Sequence, residues 1–171
     1  MLSLVAAALA ASTFTPVLEA SMPWWERISV TVDDSGTQQS CKVQSSLSLN
    51  GPQACDEETA AAVRSSTPKS TAGLYSKLTF ERRFSPDGKL DSGRLHPGDE
   101  LLGRQVMFLT IDSAGAITSC RIIAKSGPMS PTYGCEDAKS EQFRVPASVS
   151  VGTERQAFMT ILAYGHQEQI V

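Results

Sequence analysis

Four cysteines, Cys41, Cys55, Cys120 and Cys135, are the residues of this 171-residue chain best placed to do chemistry. A metal site, a catalytic thiolate and a disulfide are the three uses open to them. Zinc sites favour close pairs such as Cys-x2-Cys, whereas here neighbouring cysteines stand 14 and 15 positions apart. A catalytic thiolate needs a basic neighbour, and neither histidine, His96 or His166, lies near a cysteine in sequence. Disulfides are the reading that spacing and partners favour, provided the chain matures in an oxidising compartment.

Few other residues form a constellation. His96 and His166 lack a second metal ligand at helical or strand spacing and read as solvated surface histidines. There is no Gly-x-Ser-x-Gly elbow, no phosphate-cradling glycine loop and no His-Glu-x-x-His pair. Ser126-Gly127 reads as the start of a loop, and Asp33, Asp34 and Asp112 sit in turn signals where an Asp side chain caps its own backbone. Trp24 and Trp25 open a candidate first strand and read as core. The expectation is a chain with no catalytic residues, no metal and no cofactor. A net charge of -3 without a basic stripe likewise predicts no nucleic-acid partner.

An internal repeat supplies the elements that position the cysteines. The run from Val30 to Val43 aligns with that from Leu109 to Ile122 at a shift of 79, with Thr, Asp, Gly, Ser and Cys coinciding. With one inserted residue, Cys55-Asp56-Glu57 falls on Cys135-Glu136-Asp137. Each run alternates apolar residues at period two around a turn, Asp33-Asp34-Ser35-Gly36 or Asp112-Ser113-Ala114-Gly115, and so predicts a β-hairpin. Gly36 and Gly115 are the turn glycines, able to take the left-handed conformation that a type I turn plus bulge requires. If equivalent cysteines pair equivalently, the bridges are Cys41 with Cys55 and Cys120 with Cys135. Each would close a loop worth about 3 kcal/mol in the chain-entropy model.

Acidic residues after each second cysteine suit a helix N-terminus. Helices are predicted over residues 59–64 and, more weakly, 135–142. Third strands follow over residues 74–84 and 155–164. The fold class is therefore α+β: two tandem ββαβ units with antiparallel sheets, each carrying one helix. The expected organisation is an export signal over residues 1–20, a degenerate first copy over 21–84, a turn-rich linker over 85–103, a second copy over 104–165, and a frayed tail over 166–171. The uncharged apolar stretch from Leu2 to Ala11 is too short to span a bilayer but matches a secretory signal core, with a short buried N-terminal helix or a membrane tether as the alternative.

The second copy resembles the C-terminal domain of TonB family proteins, especially stand-alone, cysteine-containing TonB-like domains. Val106-Met107-Phe108-Leu109-Thr110-Ile111-Asp112, Gly115-Ala116-Ile117, Cys120-Arg121-Ile122, Lys125-Ser126-Gly127 and Phe143-Arg144-Val145-Pro146-Ala147 carry the likeness over about 60 residues. Glu141-Gln142 stand where the family usually has an aromatic residue before its Phe.

The resemblance implies a periplasmic or secreted, non-catalytic module that binds a protein or peptide of the cell envelope by adding a strand at a sheet edge. The third strand of the second copy, with Gln156, Phe158, Thr160, Leu162 and Tyr164, is the candidate edge; a paired interior strand, or an edge covered by the other copy, is the equal alternative. The family's energy-transducing members carry an N-terminal transmembrane helix and a Pro-rich spacer, neither of which is seen here. The alternative is a structural or self-associating envelope protein whose copies pack as a pseudo-dimer. A small exported enzyme using a thiol or His96 is a minor one.

Overall fold

The computed structural model describes residues 17–67, 69–89, 95–129 and 131–167. Expectations for residues 1–16, for the turn at Asp91-Ser92-Gly93 and for residues 168–171 lie outside the described residues. The strands are β1 (Leu18–Glu19), β2 (Trp24–Val32), β3 (Gln38–Ser45), β4 (Gln53–Ala54), β5 (Lys77–Pro86), β6 (Asp99–Ile111), β7 (Ile117–Ser126), β8 (Phe143–Arg144) and β9 (Arg155–His166). Two α-helices, α1 (Glu57–Ser66) and α2 (Cys135–Lys139), and a 3-10 turn (Lys69–Thr71) complete the described elements.

Both hairpin turns are built from the same two residue types. The Asp33 Oδ1 atom accepts the N–H groups of Ser35 and Thr37, and the Asp112 Oδ1 atom accepts those of Ala114 and Ala116. The glycine N–H then donates to the aspartate carbonyl, 2.8 Å for Gly36 and 3.1 Å for Gly115, with φ at +81° and +85°. A side-chain Cβ is disfavoured at such φ values, so glycine is the residue the turn requires.

Seven strands join in one antiparallel sheet in the order β4-β3-β2-β5-β9-β6-β7. The fold is thus α+β and sheet-dominated. Alternation puts Trp24, Ile28 and Val30 of β2 on the same face as Leu78, Phe80 and Phe84 of β5. Met107 and Leu109 of β6 and Met159 and Ile161 of β9 extend that face. Val63 of α1 covers one end of it and Ala138 of α2 the other, giving two clusters of buried side chains. The disulfides Cys41–Cys55 and Cys120–Cys135 form as the repeat predicts, and their cysteines pack against these clusters.

The Asp56 carboxylate caps α1 by accepting the Thr59 N–H at 2.7 Å, and Glu57 and Glu58 occupy its first turn. α2 is shorter than the expected 135–142. Its chain peels away because the Phe143 N–H donates to the Gly115 carbonyl and Phe143 pairs with Leu18 in a small parallel sheet of β1 and β8.

Three expected boundaries move. Leu18 and Ala20 lie within the buried core, so the folded body begins inside the segment 1–20 assigned to an export signal. A fully buried leucine side chain contributes about 1.5–3 kcal/mol, which makes this strand part of the fold. β5 extends to Pro86 and β6 starts at Asp99, so the turn-rich connection shrinks from 85–103 to 87–98. β9 continues through His166, the first residue assigned to the tail, because Lys77 pairs with it. The two halves share one sheet: β5 and β9 pair continuously from Lys77↔His166 to Pro86↔Ala157.

Candidate functional site

β9 is hydrogen-bonded on both sides, to β5 and to β6. It therefore offers no free main-chain groups to an added strand, and the expectation of a binding edge at Gln156, Phe158, Thr160, Leu162 and Tyr164 is corrected. The physical reason is that β5 has only one side occupied by β2, and β9 satisfies the other. These five residues project to the face opposite the helices. Thr160, Leu162 and Tyr164 are buried there, and Phe158 meets Phe108 edge to face at 5.4 Å between ring centres.

Charged residues of β5 lie buried on both faces of the sheet. On the helix face, the Arg82 Nε donates to Glu26 Oε2 at 2.7 Å, and its Nη1 contacts Glu141 and, at 3.4 Å, the Tyr133 hydroxyl. Tyr133 also donates to Glu141. Burial raises the Glu26 carboxyl above its ordinary range, against the pull of Arg82. Burial lowers Arg82, but the Glu26 and Glu141 carboxylates outweigh it and hold the guanidinium above its usual value. On the other face, Glu81 contacts Arg83 at 2.6 Å and Arg27 at 3.6 Å, and accepts the Tyr164 hydroxyl at 2.7 Å. Both groups tie the two halves together, since Tyr133, Glu141 and Tyr164 follow the 87–98 connection. The sequence carried a signal for the first: Arg82 keeps the period-two register of Leu78, Phe80 and Phe84, a charge at a core position.

Trp24 is core as expected, stacked on Phe84 at 5.4 Å, while Trp25 is half-buried beneath the Arg27 guanidinium. His96 is exposed, and its N–H donates to Asp99 Oδ2. His166 Nδ1 lies 2.9 Å from Asp99 Oδ1, so this strand residue is paired while its side chain stays 37% exposed. All four cysteines are bridged, so no free thiol is present. Among the described residues no three His, Cys, Asp or Glu side chains come together as a metal would require. No described helix is long and apolar enough to cross a membrane.

Of the two ends of the large sheet, β7 is the long strand whose outer side is bare. It stands last in the sheet and pairs only with β6. Ile122 and Ile123 are 41% and 47% exposed, and Arg121 and Lys125 flank them with no carboxylate in the strand. Register shifts leave Thr118 and Ile123 outside the residue pairing with β6. The bridge from Cys120 to Cys135 anchors the strand to α2. At the opposite end of the sheet, β4 covers β3 only at Lys42 and Val43. Two consecutive isoleucines break strict alternation, and that was the visible sign of the β7 bulge.

No protein-family model, no curated protein and no solved structure matches the chain.

Proposed function

We propose that this is an exported, non-catalytic, TonB-like binding module made of two ββαβ copies that complete one another's sheet. The resemblance implies that a partner is received by adding a strand at a sheet edge, and the third strand of a copy is the candidate for that edge. Here the two third strands are β5 and β9, and their mutual pairing supports reading each copy as the other's added strand. The strand order β3-β2-β5 meeting β9-β6-β7 is what a two-fold pairing of equivalent copies would produce. Two disulfides suit a periplasmic or secreted location, and any leader would be cleaved before Leu18.

The observation that carries the binding role is the bare outer side of β7 with its exposed Ile122 and Ile123. An unpaired edge presents main-chain donors and acceptors to an extended peptide, and side-chain pockets beside it give selectivity. Titrating the protein with extended peptides from the periplasmic side of outer-membrane proteins should give saturable amide shifts in residues 117–126. Flat titrations across such a panel would remove this role.

A structural, self-associating protein is the second reading, and the irregular pairing of β7 at Thr118 and Ile123 favours it. Bulges are among the devices that blunt an edge against further strands. On that reading the peptide titrations are flat, and dilution dissociates an oligomer.

A further inference from the structure

The hairpin turns at Gly36 and Gly115 differ in what lies beneath them. A Cβ on Gly115 would meet the Phe143 carbonyl oxygen at 1.8 Å, and Phe143 is buried against the core. Gly36 faces Ala72, and next to it the first half holds a cavity of about 630 Å3 between the β2–β3 turn, the end of α1 and the 3-10 turn. That volume lies within the range of small-molecule sites, about 300–1,000 Å3.

Its walls have a definite chemistry. Val30 and Val32 supply apolar wall. The Ser65 and Thr67 hydroxyls donate to the Ala62 and Val63 carbonyls, which leaves their oxygens able to accept, whereas Ser35 donates to the Asp33 carboxylate and already accepts from the Thr37 hydroxyl. Gln38 Oε1 is buried without any hydrogen-bond partner. A buried acceptor in that state is costly, and turning the side-chain amide into the cavity to meet a donor relieves it. Arg64 and Lys69 add positive charge, and no carboxylate lines the cavity. Arg64 is held only by Glu57 in an exposed pair, of the kind that contributes little.

We propose that this cavity binds a hydroxylated anion: a sugar unit bearing a carboxylate or a phosphate. With the Gln38 amide turned into the cavity, the ligand's hydroxyls donate to its Oε1 and to the Ser65 and Thr67 oxygens, its ring rests on Val32, and its anionic group faces Arg64 and Lys69. The site lies at the β3 end of the sheet, away from β7, so it stands whether or not β7 takes a peptide.

The test titrates the full chain with glucuronate and with glucose 6-phosphate, using glucose and inorganic phosphate as partial probes, by calorimetry and amide shifts. At least one hydroxylated anion should bind saturably and move the amides of Thr37, Gln38 and Thr67. Glucose and phosphate should each bind at least about tenfold more weakly, since each offers half of the complementarity. Glucuronate alone binding identifies a carboxylate source, and glucose 6-phosphate alone a phosphate source. Lys69→Ala, at an exposed position, should weaken the bound probe several-fold without changing the melting temperature, and Gln38→Leu should weaken it further. No saturable binding of either anion, equal binding of inorganic phosphate, or shifts confined to other residues overturns the proposal.

Discussion

Arg82 directs two nitrogens onto one carboxylate oxygen of Glu26, Nε at 2.7 Å and Nη2 at 2.6 Å, directly across the β2–β5 register. Its remaining arm reaches Glu141 and Tyr133 in the other half of the chain. One guanidinium thus compensates two carboxylates away from water.

Removing that compensation should be severe. Arg82→Met leaves Glu26 and Glu141 facing each other, and losing one partner of a buried ion pair costs about 3–5 kcal/mol. The loss should be largest at neutral pH and shrink on acidification, because the stranded carboxyls take up protons. Adding Glu26→Gln and Glu141→Gln to Arg82→Met should recover most of it at pH 7. Urea denaturation at pH 4 and 7 reads all three outcomes, and a loss in Arg82→Met below about 1 kcal/mol contradicts the burial argument.

The Tyr133 hydroxyl makes a second prediction, in alkali. Burial, reinforced by Glu141, raises its pKa above the ordinary phenol value. A group raised on folding adds stability that is complete below its unfolded pKa, about 10, and is lost as pH rises beyond it. Between pH 10 and 11.5 stability should fall, with up to about 1.4 kcal/mol per pH unit assignable to this tyrosine. Tyr133→Phe should lose stability at pH 7 but show a shallower alkaline slope. Parallel slopes for the two proteins exclude the effect.

What the sequence disclosed depended on how local each interaction is. Asp33 with Gly36, and Asp112 with Gly115, define a turn within four residues, so the hairpins and their cysteine faces were legible. Asp56 capping Thr59 is equally local. The pairing of β5 with β9 joins residues about 80 positions apart, and nothing in either strand's alternation distinguishes one neighbour from two. That is why the sequence left Gln156 to Tyr164 open between an edge and an interior strand, and only the pairing on both sides decides for the interior. Leu18 pairing with Phe143 uses strands of two residues, too short to show any period. Ile122-Ile123 breaks the strict alternation, yet its place on an exposed outer side follows only from the strand order.

The disulfides should contribute similarly despite different surroundings, since their loops span 14 and 15 positions. Replacing either cysteine pair by serine should cost about 3 kcal/mol in denaturation experiments. Only loss of the Cys120–Cys135 bridge should also speed amide exchange in β7, because that bond anchors the strand to α2. Non-reducing peptide mapping should recover these two pairs, and a bond between the halves would overturn the duplicated architecture.

Glycine replacements separate steric closure from backbone strain. Gly152 has φ +85° with nothing within 4 Å of an added Cβ, so Gly152→Ala should cost only the left-handed penalty of about 1–2 kcal/mol. Gly115 has the same φ, yet its added Cβ would lie 1.8 Å from the Phe143 carbonyl oxygen. Gly115→Ala must therefore displace β8, breaking the hydrogen bond from the Phe143 N–H and the pairing with Leu18. Its cost should exceed that of Gly152→Ala by at least about 2 kcal/mol and expose Phe143, visible as faster exchange at Ala20 and Phe143. Equal melting temperatures for the two variants would mean that the Gly115 turn is not closed by Phe143.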